Sequence, residues 1–194
     1  MTISFRRWSL AVALVAAAFV SCRTARPAGA PLAPLTATTA DEAMQQLRAR
    51  RETAGGIHSL MKVRATTNGK TQSFRAQLTI HDARRMELIA YTPVGTTALT
   101  LKADGDRVTT DPQVPPESFQ FLHAAGLTPA EVAMLLIGIP PRDDLQYDTA
   151  PTGLRHAAIG DLDVTFDPPA FPAQHVVVTR GADRVEIEHL EVVQ

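Results

Sequence analysis

The segment that decides the fold is residues 57–81, IHSLMKVRATTNGKTQSFRAQLTIH, in which two alternating stretches flank an Asn-Gly pair. Apolar side chains fall mainly on odd positions before the pair and on even positions after it. Asn68-Gly69 suits a two-residue hairpin turn, because both residues tolerate a positive φ. The segment therefore predicts a long antiparallel hairpin with one apolar face.

The same period of two continues on both sides of the middle of the chain. Met86–Ala90, Leu99–Leu101 and Asp106–Thr110 extend the hairpin into a five-stranded meander, with turns at Pro93-Val94-Gly95 and Asp104-Gly105. The second half predicts a further set of strands: Leu145–Thr149, Gly153–Ala158, Leu162–Phe166, His175–Arg180 and Arg184–Val193. Antiparallel strands with one apolar face need a covering layer on that face.

Three helices are predicted to supply that layer. Thr39-Ala40-Asp41-Glu42 fits a capping box, and a helix over about 40–53 should turn Met44 and Leu47 inward. Glu117–Ala125 predicts a short second helix. Thr128-Pro129-Ala130-Glu131 is a second capping box, and the nearly all-apolar Val132–Ile137 that follows indicates a buried helix. The fold class predicted is α+β, a strongly curved antiparallel sheet with helices filling its open side.

The first 21 residues have the pattern of a secretory signal. Arg6 and Arg7 precede thirteen uncharged residues, Trp8–Val20, too few for a membrane-spanning helix. Phe19-Val20-Ser21-Cys22 resembles a bacterial lipobox, so Cys22 is expected to be diacylated and to become the mature N-terminus. Residues 22–38, rich in Pro and Ala, predict a flexible tether, and residues 39–194 a single folded domain.

Composition excludes several classes of function. Nineteen Lys+Arg against twenty Asp+Glu give a net charge of −1, which does not favour nucleic-acid binding. One cysteine forms no internal disulfide, and the six histidines lack metal-site spacing. No catalytic or nucleotide-binding motif occurs, so we expect no enzyme, cofactor or metal. The acidic pairs Asp143-Asp144 and Asp161/Asp163 and the basic run 48–51 are interpreted as solvated surface.

Two further stretches resemble a known family. Residues 85–101, RMELIAYTPVGTTALTL, and residues 132–140, VAMLLIGIP, resemble the strand, Pro-Leu-Gly turn and apolar helix of the outer-membrane lipoprotein receptor LolB and its LolA-like relatives. Pro172-Ala173, leading through two strands to Val193, is a weaker match. The similarity runs in order over about residues 42–193. It implies an unclosed half β-barrel whose hydrophobic concave face is lidded by helices.

The resemblance also implies a function. A LolB-like domain accepts acylated lipoproteins from a periplasmic LolA-like carrier and inserts them into the outer membrane, without covalent chemistry. It implies a monomer, lipid-anchored in the bacterial outer membrane and facing the periplasm. Pro93, Val94 and Gly95 take the place of the family's membrane-insertion loop, with Val94 where the family has Leu.

Flexible Met and Leu side chains suit a cavity that repacks around acyl chains. The residues expected to line it are Met61, Val63, Phe74, Leu78, Met86, Leu88, Leu99, Leu101, Met134, Leu135 and Ile137. Two alternatives keep the fold and change the function. The sheet interior could be packed solid in a structural lipoprotein, or the guest could be a free lipid or glycolipid.

Overall fold

The structure is a computed structural model that describes residues 29–113 and 126–194. Within them the helices are α1 (Ala40–Glu52) and α2 (Pro129–Ile137). The strands are β1 (Ile57–Thr67), β2 (Lys70–Ile80), β3 (Arg85–Tyr91), β4 (Thr97–Asp104), β5 (Arg107–Asp111), β6 (Gln146–Ala150), β7 (Gly153–Ile159), β8 (Leu162–Phe166), β9 (His175–Arg180) and β10 (Asp183–Val193). The predicted signal sequence, Cys22 and the predicted helix over 117–125 lie outside the described residues.

All ten strands belong to one antiparallel sheet in the order β5-β4-β3-β2-β1-β10-β9-β8-β7-β6. The first five strands form one meander and the last five form another, and β1 pairs with β10 where the two halves join. Among the described residues β5 and β6 remain as the two edges, so the curved sheet does not close. The predicted α+β fold class is confirmed.

The hairpin that decides the fold forms as the sequence predicts. Thr67 pairs with Lys70 across the turn, and the two residues between them have positive φ, 51° at Asn68 and 73° at Gly69. This is the backbone that a tight hairpin requires and that few other residue pairs adopt without strain. The pairing runs unbroken to Ile57↔Ile80, which keeps the apolar side chains of this hairpin on one face, except that of Leu60.

Both helices begin at the predicted caps. The Thr39 hydroxyl accepts a hydrogen bond from the Glu42 amide, but the Glu42 carboxylate accepts from the Thr38 amide at 2.8 Å, one residue earlier than a capping box places it. At α2 both reciprocal bonds of the Thr128–Glu131 capping box are present. Gly138 ends α2 at φ 95°, in the left-handed region that glycine occupies without steric cost.

One apolar core joins the sheet to both helices. It contains Leu47 of α1, buried residues of α2 such as Ala133, and inward side chains from both halves of the sheet. Met44, expected to face inward with Leu47, is half-buried and packs at the edge of this core. Because α2 has apolar residues around most of its circumference, burial of almost the whole helix is its stable arrangement.

The described part of the predicted tether is not a free chain. Ala30 and Gln194 exchange backbone hydrogen bonds of 3.0 and 2.9 Å, and the Leu32 amide donates to the Val192 carbonyl oxygen at 3.3 Å. β9 pairs with β10 only as far as Glu188, which leaves the last residues of β10 with an open edge. Residues 30–32 fill that edge, because unpaired strand groups favour any chain that can complete the ladder.

The connection from β8 to β9, residues 167–174, crosses the end of α2. The Ala173 amide donates to the Ile137 carbonyl oxygen at 2.9 Å, and the His189 amide donates to the Gln174 carbonyl oxygen at 2.8 Å. These bonds fix the connection between the C-terminal end of α2 and β10. The connection therefore forms one wall of the site described next.

Candidate apolar groove

An open groove with a cavity volume of about 1500 Å³ extends across the middle of the sheet. Its walls come from residues far apart in the sequence: Pro34 and Leu35, the centres of β1 and β2, the turn after β3, the β8–β9 connection and the second half of β10. We call this region the groove. A site built from so many segments depends on the complete fold.

Two exposed apolar side chains mark the groove. Val94 is 73% exposed and Leu190 is 41% exposed, and they are the exposed large hydrophobic residues among those described. Both line the groove, together with half-buried Phe74 and Leu35. Apolar side chains that are exposed together beside a cleft typically mark a binding surface.

The turn between β3 and β4 holds Val94 outward. The Thr92 amide donates to the Thr96 carbonyl oxygen at 2.8 Å, and the Gly95 amide donates to the Thr92 carbonyl oxygen at 2.9 Å. The Thr92 and Thr96 hydroxyls lie 2.7 Å apart, and Gly95 has φ 85°. The turn is thus closed by its own bonds, and Pro93 and Val94 are at its exposed tip.

The structure separates the predicted cavity residues into two groups. Val63 and Phe74 line the groove, as do all three residues of the predicted insertion loop. Leu88 is partly buried against the core, and Leu99 is half-buried outside it. The others lie within the packed core: Met61, Leu78, Met86, Leu101, Met134, Leu135 and Ile137. The groove therefore meets the core at Val63, which belongs to both, while no residue of α2 lines it.

A polar contact that the sequence did not single out joins α2 to the sheet. His189 of β10 places Nδ1 2.7 Å from the Ser59 hydroxyl, and its Nε2 lies 3.0 Å from the Leu136 carbonyl oxygen. Burial lowers the pKa of His189 to about 4, so the ring is neutral at physiological pH. Ser59 is 0% exposed. It stands at an odd position of β1, and odd positions of this strand face the apolar side of the sheet.

The opposite face of the same strands supplies charged residues to the groove wall. Lys62, Arg64 and Arg75 lie there with Glu186 and Glu188. Lys62 Nζ is 3.0 Å from a Glu188 carboxylate oxygen. A hydrogen bond from Arg184 and the nearby charge of Arg64 lower the pKa of Glu186.

The basic run of α1 is partly engaged in ion pairs. Arg48 and Arg51 donate to the Asp143 carboxylate at 2.9 and 3.0 Å, and the hydrogen bond from Arg51 contributes most to lowering the pKa of Asp143. The Arg50 guanidinium lies 4.6 Å from the ring centroid of Phe171, a groove residue. These contacts fix α1 against the connections that border the groove.

The other acidic side chains interpreted as solvated are exposed and paired. Asp161 accepts from Arg180 at 2.6 Å, and Asp163 lies 2.6 Å from His156 Nε2. Across residues 29–113 and 126–194, no three His, Cys, Asp or Glu side chains form a group that could hold a metal ion. No helix in those ranges is long and apolar enough to cross a membrane.

Comparisons with known proteins give a family match and a set of structural similarities. Residues 58–128 match a family described as a protein of unknown function, DUF3261. No curated protein matches the sequence. A LolA superfamily protein from Nitrosomonas europaea is similar in structure with a TM-score of 0.47 and 8% identity, over 81% of this chain and 94% of that one. A putative outer membrane lipoprotein-sorting protein domain from Vibrio parahaemolyticus gives 0.43 and 9%, over 79% and 92%.

Proposed function

We propose that this protein is an outer-membrane receptor that accepts acylated lipoproteins from a periplasmic LolA-like carrier and inserts them into outer-membrane lipid. The observation that carries the proposal is the placement of Val94 and Leu190, the exposed large apolar residues of the described chain, on one groove. An acyl chain is bound by apolar surface rather than by polar groups. Two exposed apolar side chains beside a cleft provide such a surface.

The size of the groove supports a long ligand. Its volume of about 1500 Å³ exceeds the roughly 300–1,000 Å³ typical of small-molecule sites. Val63 and Phe74 line the groove, and through them it borders the core, since Val63 belongs to the core and Phe74 packs against it. A flexible acyl chain lying along these side chains would bury apolar surface at about 25 cal/mol per Å².

The interior beneath α2 provides a second, deeper place for acyl chains. It is filled by its own side chains, and Met134, Leu135 and Ile137 of α2 are all nearly inaccessible. Acyl chains would enter it only if α2 moved away from the sheet. Met side chains there would repack around a guest at low cost, which is why Met61, Met86 and Met134 remain part of the proposed cavity.

We place the protein at the periplasmic face of the outer membrane. Residues 1–21 would direct export, and acyl chains on Cys22 would anchor the mature chain. More than one acyl chain on a single residue makes a stable anchor, because one chain alone binds reversibly. The turn that carries Val94 would then lie within reach of the lipid surface.

A second candidate function is a structural or lipid-binding envelope lipoprotein. It is favoured by the eight predicted cavity residues, Val63 and Leu78 among them, that belong to the packed core. In that case the groove would hold a free lipid, a glycolipid or another envelope protein. The two candidates differ in whether an acylated lipoprotein binds.

Native mass spectrometry of residues 23–194, secreted without the anchor and purified gently from the periplasm, tests the proposal. A bound mass equal to an acylated lipoprotein is expected, and the matched control is the same lipoprotein without its acyl chains, which should not bind. A bound lipid would favour the second candidate. An empty protein that also refuses added acylated lipoprotein would overturn the proposed function.

A further inference from the structure

Three cations occupy neighbouring positions on the polar face of the sheet. Lys62 of β1 is directly opposite Arg75 of β2, and Arg64 follows two residues after Lys62 on the same face. Side chains directly opposite on neighbouring antiparallel strands lie about 4.5–5.5 Å apart at Cβ, and like charges there are destabilising. The sheet therefore holds a repulsive Lys–Arg pair at its centre.

Three carboxylates line the same groove, those of Glu186, Glu188 and Glu191, but none of them forms an ion pair with Arg75. Lys62 is paired with Glu188. Glu186, opposite Arg64, accepts a 2.7 Å hydrogen bond from Arg184, so its carboxylate is shared between two guanidinium groups. The side chain of Arg75 makes no hydrogen bond or ion pair with any residue in the described part of the chain. Its guanidinium is exposed and has its donors available.

This cationic cluster, Lys62, Arg64 and Arg75, adjoins the exposed apolar tip. Arg75 is directly opposite Tyr91, the last residue of β3, and the turn that carries Val94 begins at the next residue. All three cations line the groove with Val94. An exposed apolar side chain beside available guanidinium groups is the arrangement of surfaces that insert shallowly into a bilayer.

We propose that the cationic cluster docks the groove onto the phosphate groups of an anionic phospholipid bilayer while Val94 inserts between them. This inference rests on the proposed function, since it names the surface at which an acyl guest would be released. A guanidinium matches phosphate with two parallel hydrogen bonds, which suits Arg75 in particular. The repulsion between Lys62 and Arg75 is then relieved by the bound anion.

The effect of each charge can be stated in advance. A Lys or Arg close to an anionic membrane contributes about 1 kcal/mol, which corresponds to about fivefold in the docking constant. Arg75→Gln should therefore weaken docking about fivefold. Lys62→Gln combined with Arg75→Gln should weaken it further, and salt at about 1 M, where the Debye length is ~3 Å, should remove most of it.

Hydrogen exchange of the full chain, reconstituted into vesicles, measures this docking. Exchange in residues 91–96 should be slower on phosphatidylcholine mixed with phosphatidylglycerol than on phosphatidylcholine alone. The matched control is Arg107→Gln, which removes the same charge from β5, outside the groove, and should leave the difference intact. Thermal unfolding of each variant checks that the fold is retained.

Three results would overturn the inference: equal protection on both vesicles, protection unchanged by Arg75→Gln, or the same protection by inorganic phosphate without vesicles. The last would indicate a free-anion site. Binding of an acylated lipoprotein, measured on the same variants, separates this inference from the proposed function. If the protein binds the acylated lipoprotein but does not dock onto anionic vesicles, only the docking proposal is overturned. If the unaltered protein does not bind the acylated lipoprotein, the proposed function is overturned.

Discussion

The imidazole of His189 bridges the Ser59 hydroxyl of β1 and the Leu136 carbonyl oxygen of α2, at 2.7 and 3.0 Å. In the neutral ring Nε2–H donates to the carbonyl oxygen, and Nδ1 accepts from the hydroxyl. The last turn of α2 is thereby hydrogen-bonded to the middle of the sheet. Opening the interior beneath α2 requires this bridge to break.

The bridge makes stability depend on pH in a defined window. The pKa of His189 is lowered by burial from 6.5 to about 4, so the folded state binds this proton less readily than the unfolded state. The stability that depends on the neutral His189 ring is therefore fully present above pH 6.5, and this contribution is lost as the pH falls towards 4. We expect the free energy of unfolding to fall by up to about 2 kcal/mol between pH 6.5 and 5, measured by urea denaturation.

A matched pair of variants assigns this slope. His189→Gln removes the titrating ring and should flatten the profile between pH 5 and 6.5, besides lowering stability overall. His81→Gln, at an exposed position, should leave the profile as it is. An unchanged slope in His189→Gln would show that another group causes it.

Val94 should matter for delivery and not for folding. Because its side chain is 73% exposed, Val94→Glu should change stability by no more than about 0.5 kcal/mol. A carboxylate at the tip of the turn should block release of an acylated lipoprotein into vesicles, measured by co-sedimentation. Val94→Leu adds one CH₂, about 0.8 kcal/mol of burial, and should preserve or increase release. Wild-type release by Val94→Glu would remove this turn from the mechanism.

Met134 tests how tightly the interior beneath α2 is packed. It is 2% exposed, so Met134→Ala should cost about 2–5 kcal/mol in urea denaturation. Met134→Leu, which nearly conserves volume, should cost less than about 1.5 kcal/mol. A cost below about 1 kcal/mol for the alanine variant would instead indicate an interior with room already present for an acyl chain.

Gly153 tests the wall formed by the β8–β9 connection. A Cβ atom at this position would lie 2.5 Å from the carbonyl carbon of Ala170, so backbone must move to admit it. Gly153→Ala should cost about 1–3 kcal/mol or more. The comparison is Gly160→Ala, where nothing lies within 4 Å and only the positive φ of 59° opposes a side chain, at about 1–2 kcal/mol. Gly153 also has a positive φ, of 157°, so the steric conflict is measured by how much more stability Gly153→Ala loses than Gly160→Ala in thermal unfolding. An equal or smaller loss in Gly153→Ala would contradict the steric account.

Local signals explain why so much of the fold was predictable. Asn68-Gly69, the alternation on either side of it and the Thr128 capping box each act over a few residues, so each can be recognised without knowing the rest of the chain. The predicted strands accordingly agree with the structure to within a few residues. Glu42 shows the limit of such signals, because its carboxylate selected Thr38 rather than Thr39.

Contacts between distant segments could not be predicted in the same way. The bridge from His189 to Ser59 depends on the pairing of β1 with β10, two strands that are far apart in the sequence. The irregularity in that pairing between Leu60 and Met61 has no local signal in the sequence either. Ser59 alone gave a hint, since a hydroxyl at an apolar position of the strand requires a polar partner.

The groove illustrates the same limit for function. Alternation predicts which side chains lie on the apolar face, and Val63 and Phe74 do line the groove. Alternation does not predict which apolar residues a helix covers. It therefore does not distinguish Leu78, which is buried in the core, from the residues that line the groove. The position of the groove also depends on the path of the β8–β9 connection and of residues 34–35, which no local pattern predicts.

Ala30 and Gln194 exchange two backbone hydrogen bonds, so these two residues, far apart in the sequence, lie side by side. A short linker could join these two positions without disturbing the sheet, and new termini could be opened at an exposed turn such as the one at Gly181. In such a circular permutant β10 would no longer be covalently joined to β9, but it would still pair with β9 and β1 in the sheet. The order in which the two halves of the sheet emerge from the ribosome would become a matter of choice.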